Sequence, residues 1–411
     1  MKQLKCNLHK VVVISFIFFF NEVKAQELQG YIQEAFTNNP EVYKFELQYK
    51  IATEKINEGN TLPNTEFAVG YFISEPETRT GPQRFKVSAK QMLPWFGTIT
   101  SREKYMISLA DAKYEDIVIA KRKLMALVSQ SYYNLYTNKE KQEVLAKNIK
   151  LLKTYETLAL TNVEVGKASA VDVLRLQIRQ NEMQQLKEVL QQQFLAELSN
   201  FNNLLHRENN VSVSTVDELQ IPSEDFEINS EKLALHPELL KYDKLYQSIQ
   251  QSELLNKKEG SPMIGFGLDF INVSERPDMN FSDNGKDILM PMVSISIPIF
   301  NKKHTSKTKQ NELQKSEINA QKQERLNTLE TLLSKAITQR ISARISYAIQ
   351  SKNLQQAKQA EEILLKNYQT GTIDFKDVLD IQELQLKFQI NQIEAVMAYY
   401  VQTTIINYVT Q

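Results

Sequence analysis

The sequence predicts a mainly α protein built by tandem duplication, in which very long helices are interrupted by two β-hairpins. Three observations carry this. Glycine and proline are missing from stretches far longer than an ordinary helix, four segments alternate apolar and polar residues, and landmarks of the first half recur in the second at a nearly constant offset.

The helices come first. No Gly or Pro occurs over 98–165, 167–221, 299–370 or 372–411, so four helices are expected, because these two residues are the usual punctuation of helical runs. In the first, Leu124, Val128, Ser131, Leu135, Asn138, Gln142, Leu145, Ile149 and Leu152 recur with 4-3-4-3 spacing. That is a coiled-coil seam with polar interruptions. Helices of this size would run roughly 100 Å at 1.5 Å per residue. The polar seam positions suit a wall with water on one side better than a dry two-stranded coil.

The strands have a different period. "TEFAVGYFI" from Thr65 sets Phe67, Val69, Tyr71 and Ile73 against Glu66, Ala68 and Gly70, and "QRFKVSAKQ" from Gln83 sets Phe85, Val87 and Ala89 against Lys86, Ser88 and Lys90. "MIGFGLDFI" from Met263 presents Ile264, Phe266, Leu268 and Phe270, and "MVSISIPIF" from Met292 presents Val293, Ile295 and Ile297 opposite Ser294 and Ser296. Such alternation makes a strand apolar on one side. Its length fits a tilted strand of a membrane barrel and equally a hairpin of a soluble sheet.

The duplication orders the parts. Pro40 matches Pro237 and Gly70 matches Gly267 at an offset of 197; Pro94 of "LPWFG" matches Pro298 of "IPIFN" at 204, and Gly166 matches Gly371 at 205. Each half reads short helix, hairpin, very long helix, tight turn, shorter helix. The expected organisation is a first repeat over 26–208, with hairpin 65–92, long helix 99–165 and helix 172–207. A second covers 209–411, with helix 237–258, hairpin 263–299, long helix 303–370 and helix 377–410. The offset grows where the second hairpin loop, 272–287, is the longer. In lipid, four strands could not close on themselves, since small barrels need about eight and open edges are not tolerated there. Several chains would have to contribute.

Residues 1–25 read as a secretory signal peptide: Lys2, Lys5 and Lys10, an apolar stretch over 11–20, then Val23-Lys24-Ala25 as a small-x-small cleavage site. The apolar stretch is short for a spanning helix, which needs about 20 residues. Removal takes four Lys and one Glu from balanced totals of 49 and 49, leaving 45 basic and 48 acidic residues. Nothing in that balance suggests a nucleic-acid surface. Cys6 is the only cysteine, so the mature chain has neither disulfide nor thiolate metal site, which suits an oxidising compartment.

The paired turns are the most specific motif. "VGKASAVDVLRLQ" and "TGTIDFKDVLDIQ" each hold a Gly, an Asp-Val-Leu six residues on and a Gln five beyond that Asp. Gly166 and Gly371 suit the left-handed cap that ends a long helix. Asp172 and Asp377 can cap or favourably charge the start of the returning helix. Taken alone, the motif describes two αα-hairpins.

With the duplicated order and the "LPWFG" and "IPIFN" junctions, these turns make essentially the whole mature chain resemble the outer membrane efflux protein family, or TolC family. The resemblance implies a homotrimer in which three chains close a 12-stranded barrel in the outer membrane and a twelve-helix tunnel into the periplasm. It further implies a periplasmic adaptor and an inner-membrane transporter as partners, contact with outer-membrane lipid, and no cofactor. Matched position by position, Asp377 and Asp380 fall where acidic rings close the tunnel, and Tyr368 where a tyrosine links the second tip to the first-repeat acid, here Asp172. Gly166, Lys167, Ala168, Gly371, Ile373 and Phe375 fall at tips facing the adaptor, with Ile373 and Phe375 as candidate exposed apolar contacts, and with a hydrophobic staple inside its own hairpin as the equal alternative for Phe375. Trp95 and Phe96 fall at the membrane interface. At Ile373 the family pattern has a basic residue, and at Val171 a hydroxyl, so that latch is expected to be missing. "LPWFG" and the end at Gln411 directly after the last helix are similar to the heavy-metal efflux branch; metal ions, drugs and peptides all stay open as cargo.

An enzyme is not indicated. His206, His236 and His304 lack metal-ligand spacing, and neither a phosphate-cradling Gly loop nor a Ser-His-Asp arrangement can be assembled. The competing reading from another class is a secreted periplasmic coiled-coil structural protein whose hairpins never enter a membrane.

Overall fold

The computed structural model describes residues 23–166, 169–225, 227, 230–278, 280–299, 302–370 and 372–411. The expected leader therefore lies outside the described residues as far as residue 22.

The first half runs α1 (Val23–Asn38), α2 (Pro40–Gly59), β1 (Thr65–Tyr71), β2 (Glu77–Thr78), β3 (Gly81–Leu93), α3 (Thr98–Glu164) and α4 (Ala170–Leu204). The second follows a 3-10 turn at Ser230–Leu235 with α5 (Pro237–Glu259), β4 (Met263–Val273), β5 (Ile288–Ser296), α6 (Lys303–Gln369) and α7 (Phe375–Thr410). Helices α3 and α6 are 67 residues each, ended where glycine punctuation is expected. Strand β1 stops at Tyr71, short of Ile73, although the Phe72 amide still donates to the Arg84 carbonyl at 2.9 Å. Strand β5 starts at Ile288, earlier than its alternation suggests, and ends before Pro298. Among the described residues no helix is long and apolar enough to cross a membrane.

Packing divides the chain into two compact units, and each takes segments from both sequence halves: 1–44, 117–236 and 326–411 form one, 45–116 and 237–325 the other. The repeats are thus not the units of packing.

The second of these units holds the sheet. Its main path is β1-β3-β4-β5, antiparallel throughout, with β2 pairing off β3. The register aligns the apolar positions across every strand. Val69 faces Val87, which faces Phe270, and Phe266 faces Val293. The result is a single apolar face, and it is open: Phe67, Val69, Tyr71, Phe266, Val293 and Ile295 are all more than half exposed. The other face is polar, where Ser88 stands opposite Asp269 and Lys86 pairs with the wholly buried Asp269 carboxylate. In the helical part of the same unit, buried Ser252, Asn256 and Asn311 form a polar seam. There Asn256 donates to the His304 carbonyl at 2.9 Å and Asn311 to Glu253 at 2.8 Å.

The first unit has two apolar cores. One gathers Leu124, Val128, Tyr132, Leu135, Phe201 and Leu205 with Ile32 and Ala35 of α1, so the heptad seam of α3 is buried at its apolar positions. The other gathers Leu145, Leu152, Tyr155, Leu176, Tyr368, Phe375 and Val378. Across the first unit runs a strap, 214–225, fixed chiefly by tyrosines. The Ser214, Val216 and Leu219 amides donate to the hydroxyls of Tyr31, Tyr132 and Tyr136 at 2.9–3.0 Å, and Tyr400 donates to the Gln220 carbonyl at 2.7 Å. Its end is clasped by Arg344, which donates to Asp225 at 2.5 Å, while the Tyr399 hydroxyl donates to the same carboxylate at 2.6 Å.

Candidate functional site

Each long helix ends in the kind of turn its sequence asks for. Gly166 takes φ 71°, its amide donating to the Val163 carbonyl at 3.0 Å, and only glycine adopts that conformation without strain. After it, Ser169 is the N-cap of α4, accepting from the Val171 amide at 3.2 Å. In the second turn Asn367 accepts from the Thr372 amide at 3.0 Å and from its hydroxyl at 2.8 Å. Asp374 stands at the N-cap of α7, without a side-chain cap bond. The caps are therefore Ser169 and Asp374. Asp172 and Asp377 sit three residues further in, where a carboxylate favours the positive helix end. Lys167, Ala168 and Gly371 lie outside the described residues.

The motif's glutamines have a defined job. Gln177 donates to Glu156 on α3 at 2.7 Å, and Gln180 to the other oxygen of that carboxylate at 2.9 Å. In the second hairpin Gln382 and Gln385 hold the two oxygens of Glu361 on α6, Gln385 at 2.7 Å. The two clasps correspond at the same offset of 205 that relates the glycines. Their hydrogen bonds to the ionised form hold the Glu156 carboxyl below its ordinary range. The sequence signal is a Glu followed 21 residues later by Gln-x-x-Gln, repeated, and the paired-turn motif contains only the first Gln of each pair.

Two expectations for the tips need correction. Phe375 is not an exposed contact: it is completely buried, its ring 4.8 Å from that of Tyr368 and 5.9 Å from that of Tyr155. The first residue of α7 points back into the hairpin core because that core is the nearest apolar volume. Ile373 is half-buried against the same cluster. Second, Tyr368 does not bond Asp172. Its hydroxyl is buried with no hydrogen-bond partner, its ring being turned onto Phe375, while Asp172 pairs with Arg175 one turn along at 3.4 Å. Gly166, Asp172, Arg175, Tyr368 and Ile373 nevertheless line one open groove of about 590 Å³. Asp377 and Asp380 are both exposed, and at this spacing they share a helix face.

In the second unit, β3 meets α3 through a sharp turn. Gly97 takes φ 80°, and the Thr98 amide donates to the Trp95 carbonyl at 3.0 Å. Trp95 and Phe96 stack edge to face with centroids 5.8 Å apart, and Phe96 projects into solvent. Among the described residues no three His, Cys, Asp or Glu side chains converge to hold a metal ion.

No protein-family model and no curated protein sequence matches the chain. Solved structures do. CusC, described in terms of folding and transmembrane channel formation, aligns with a TM-score of 0.77 at 13% identity, over 94% of this chain and 92% of its own. The Neisseria gonorrhoeae MtrE outer membrane channel in its open state aligns at 0.74 with 16% identity, over 93% and 88%. The Campylobacter jejuni CmeC outer membrane channel aligns at 0.73 with 16% identity, over 93% and 85%. The chain has the fold of these outer membrane channels, nearly end to end, and the resemblance drawn from the paired turns is met at the level of fold.

Proposed function

We propose that the chain belongs to the outer membrane efflux (TolC) family and is the passive exit duct of a tripartite efflux or secretion system. In this reading three copies close a 12-stranded barrel in the outer membrane, and their helices form a tunnel through the periplasm. A periplasmic adaptor docks on the tips around Gly166 and Ile373, and an inner-membrane transporter delivers the cargo. Asp377 and Asp380, exposed on the returning helix, form the acidic constriction.

The observation that carries the proposal is the sheet. A register-matched apolar face stands open to the surroundings, and β1 and β5 are left as unpaired edges. In water this would be an aggregation hazard; in lipid the face is satisfied and the edges demand neighbours. The helices add support. Val171, Leu174 and Ile178 on α4, and Ile341, Ile345 and Ile349 on α6, recur three or four residues apart and are about half exposed, as expected of walls completed by other copies. The test is fractionation: heat-resistant trimers in outer-membrane fractions support the duct, and quantitative recovery as soluble periplasmic protein overturns it.

A further inference from the structure

We propose that Tyr155 is the latch that holds the two tip hairpins of one chain together, through a hydrogen bond from α3 to Glu361 on α6. Every residue in the argument belongs to the unit formed by 1–44, 117–236 and 326–411; only the consequence for conduction rests on the duct reading above.

The two hairpins, α3 with α4 and α6 with α7, are closed in the same way but tied unequally. Each carries its own clasp of one Glu and two Gln, at Glu156 and at Glu361. The Glu156 clasp stays inside the first hairpin. Glu361 takes a third donor, the Tyr155 hydroxyl at 2.5 Å, and that donor comes from the other hairpin. The position matching Tyr155 in the second repeat is Ala360, so no reciprocal bond can form. The Tyr155 ring is committed in the same direction: it lies 5.9 Å from that of Phe375 at the start of α7, and the residue is 7% exposed. Tyr368, whose hydroxyl has no hydrogen-bond partner, makes no such tie.

Tyr155 also ends a ladder. Lys141, Asn148 and Tyr155 stand seven residues apart on α3, which places them on one face of the helix at intervals of about 10 Å. Lys141 pairs with Glu394 at 2.6 Å and Asn148 donates to Gln389 at 3.0 Å, both on α7. From the returning helix, Arg179 of α4 pairs with Glu383 of α7 at 2.9 Å. These bonds cross between the hairpins, and bonds of this kind have a small net worth because water can replace them. When Tyr155 leaves, Glu361 keeps both glutamine donors, so no carboxylate is left unpaired and each hairpin stays closed on itself. The joint that gives way lies between the hairpins and not within them.

The test uses the full-length protein with two readouts. In detergent, a short reducible cross-linker joins Asn148→Cys to Gln389→Cys, and the yield within one chain is read by mass spectrometry. Adding Tyr155→Phe, which keeps the ring and removes the bond, should lower that yield severalfold. In planar bilayers, Tyr155→Phe should move trimers about tenfold towards the open state, as expected for one hydrogen bond to a carboxylate. Glu361→Gln should act in the same direction. Glu156→Gln, at the matching position of the first hairpin, and Tyr368→Phe should leave the currents as in the parent, which separates a latch from a general loosening of a hairpin. An unchanged cross-linking yield with Tyr155→Phe overturns the proposal, as do currents like those of a conducting parent, or equal gains in Glu156→Gln and Glu361→Gln. A lowered yield in a protein that never conducts keeps the tie between the hairpins and rejects the duct.

Discussion

Phe375 and Tyr368 show how a gate residue and a core residue are told apart. Phe375 is clamped between two tyrosine rings, so Phe375→Ala should lower the stability of the hairpin by about 3–5 kcal/mol. Tyr368→Phe removes only an unpartnered hydroxyl and should stay within about 0.5 kcal/mol of the parent. Thermal unfolding followed by circular dichroism would check both. A Tyr368→Phe loss as large as that of Phe375→Ala would mean the hydroxyl has a partner after all. The exposed acids are a different case. Asp377→Asn with Asp380→Asn should reduce cation preference and weaken divalent block in single-channel recordings, with little effect on trimer yield, because mutually repelling surface carboxylates add little stability. Unchanged selectivity would leave these acids as helix-end charges only.

At the scale of elements, the strap makes a pH-dependent prediction. Burial alone would raise the Asp225 carboxyl, but the hydrogen bonds from Tyr399 and Arg344, with the charges of Arg340 and Arg344, outweigh it and hold the group below its ordinary range. A depressed carboxylate stabilises the fold above its unfolded pKa of about 3.9 and loses that contribution as pH falls through the folded value. The stability difference between the parent and Asp225→Asn should therefore be present at pH 7 and shrink below about pH 4. A difference that persists undiminished into acid would show the clasp to be unimportant.

The hairpin loops carry a prediction of their own. Gly81 lies at φ 128°, where a Cβ would meet the Ser274 carbonyl, and Gly285 donates to the Thr80 carbonyl at 2.8 Å, so neither position should accept an insertion. Pro277 and Asp278 are exposed. An epitope there should be detected on intact cells, and detection only after the outer membrane is broken would reverse the orientation. Sequence alone located the helices and strands closely, because Gly, Pro and alternation are local signals. It was blind to the strap, because an amide donating to a distant tyrosine hydroxyl leaves no periodicity. It left Phe375 open between an adaptor contact and its own hairpin core, since one apolar residue at a helix start looks the same in either place; the structure puts it in the core.

At the scale of the whole molecule the account stands or falls on whether the sheet is completed by other copies. Ile295→Arg, on the open apolar face, should abolish trimers, because a cation facing lipid costs about 2–4 kcal/mol near the midplane. More direct is a disulfide between edges. Strands β1 and β5 are separated by β3 and β4, so within one chain they lie roughly 14 Å apart at about 4.8 Å per step, too far for a disulfide, which needs Cα atoms within about 7 Å. The only natural cysteine is Cys6, outside all the strands. One cysteine in β1, at Phe67, Val69 or Tyr71, should be combined with one in β5, at Val293 or Ile295, and each pair oxidised in membranes. The account predicts that at least one pairing yields a covalent trimer that reverts to monomer on reduction; monomers alone from all six pairings would contradict it.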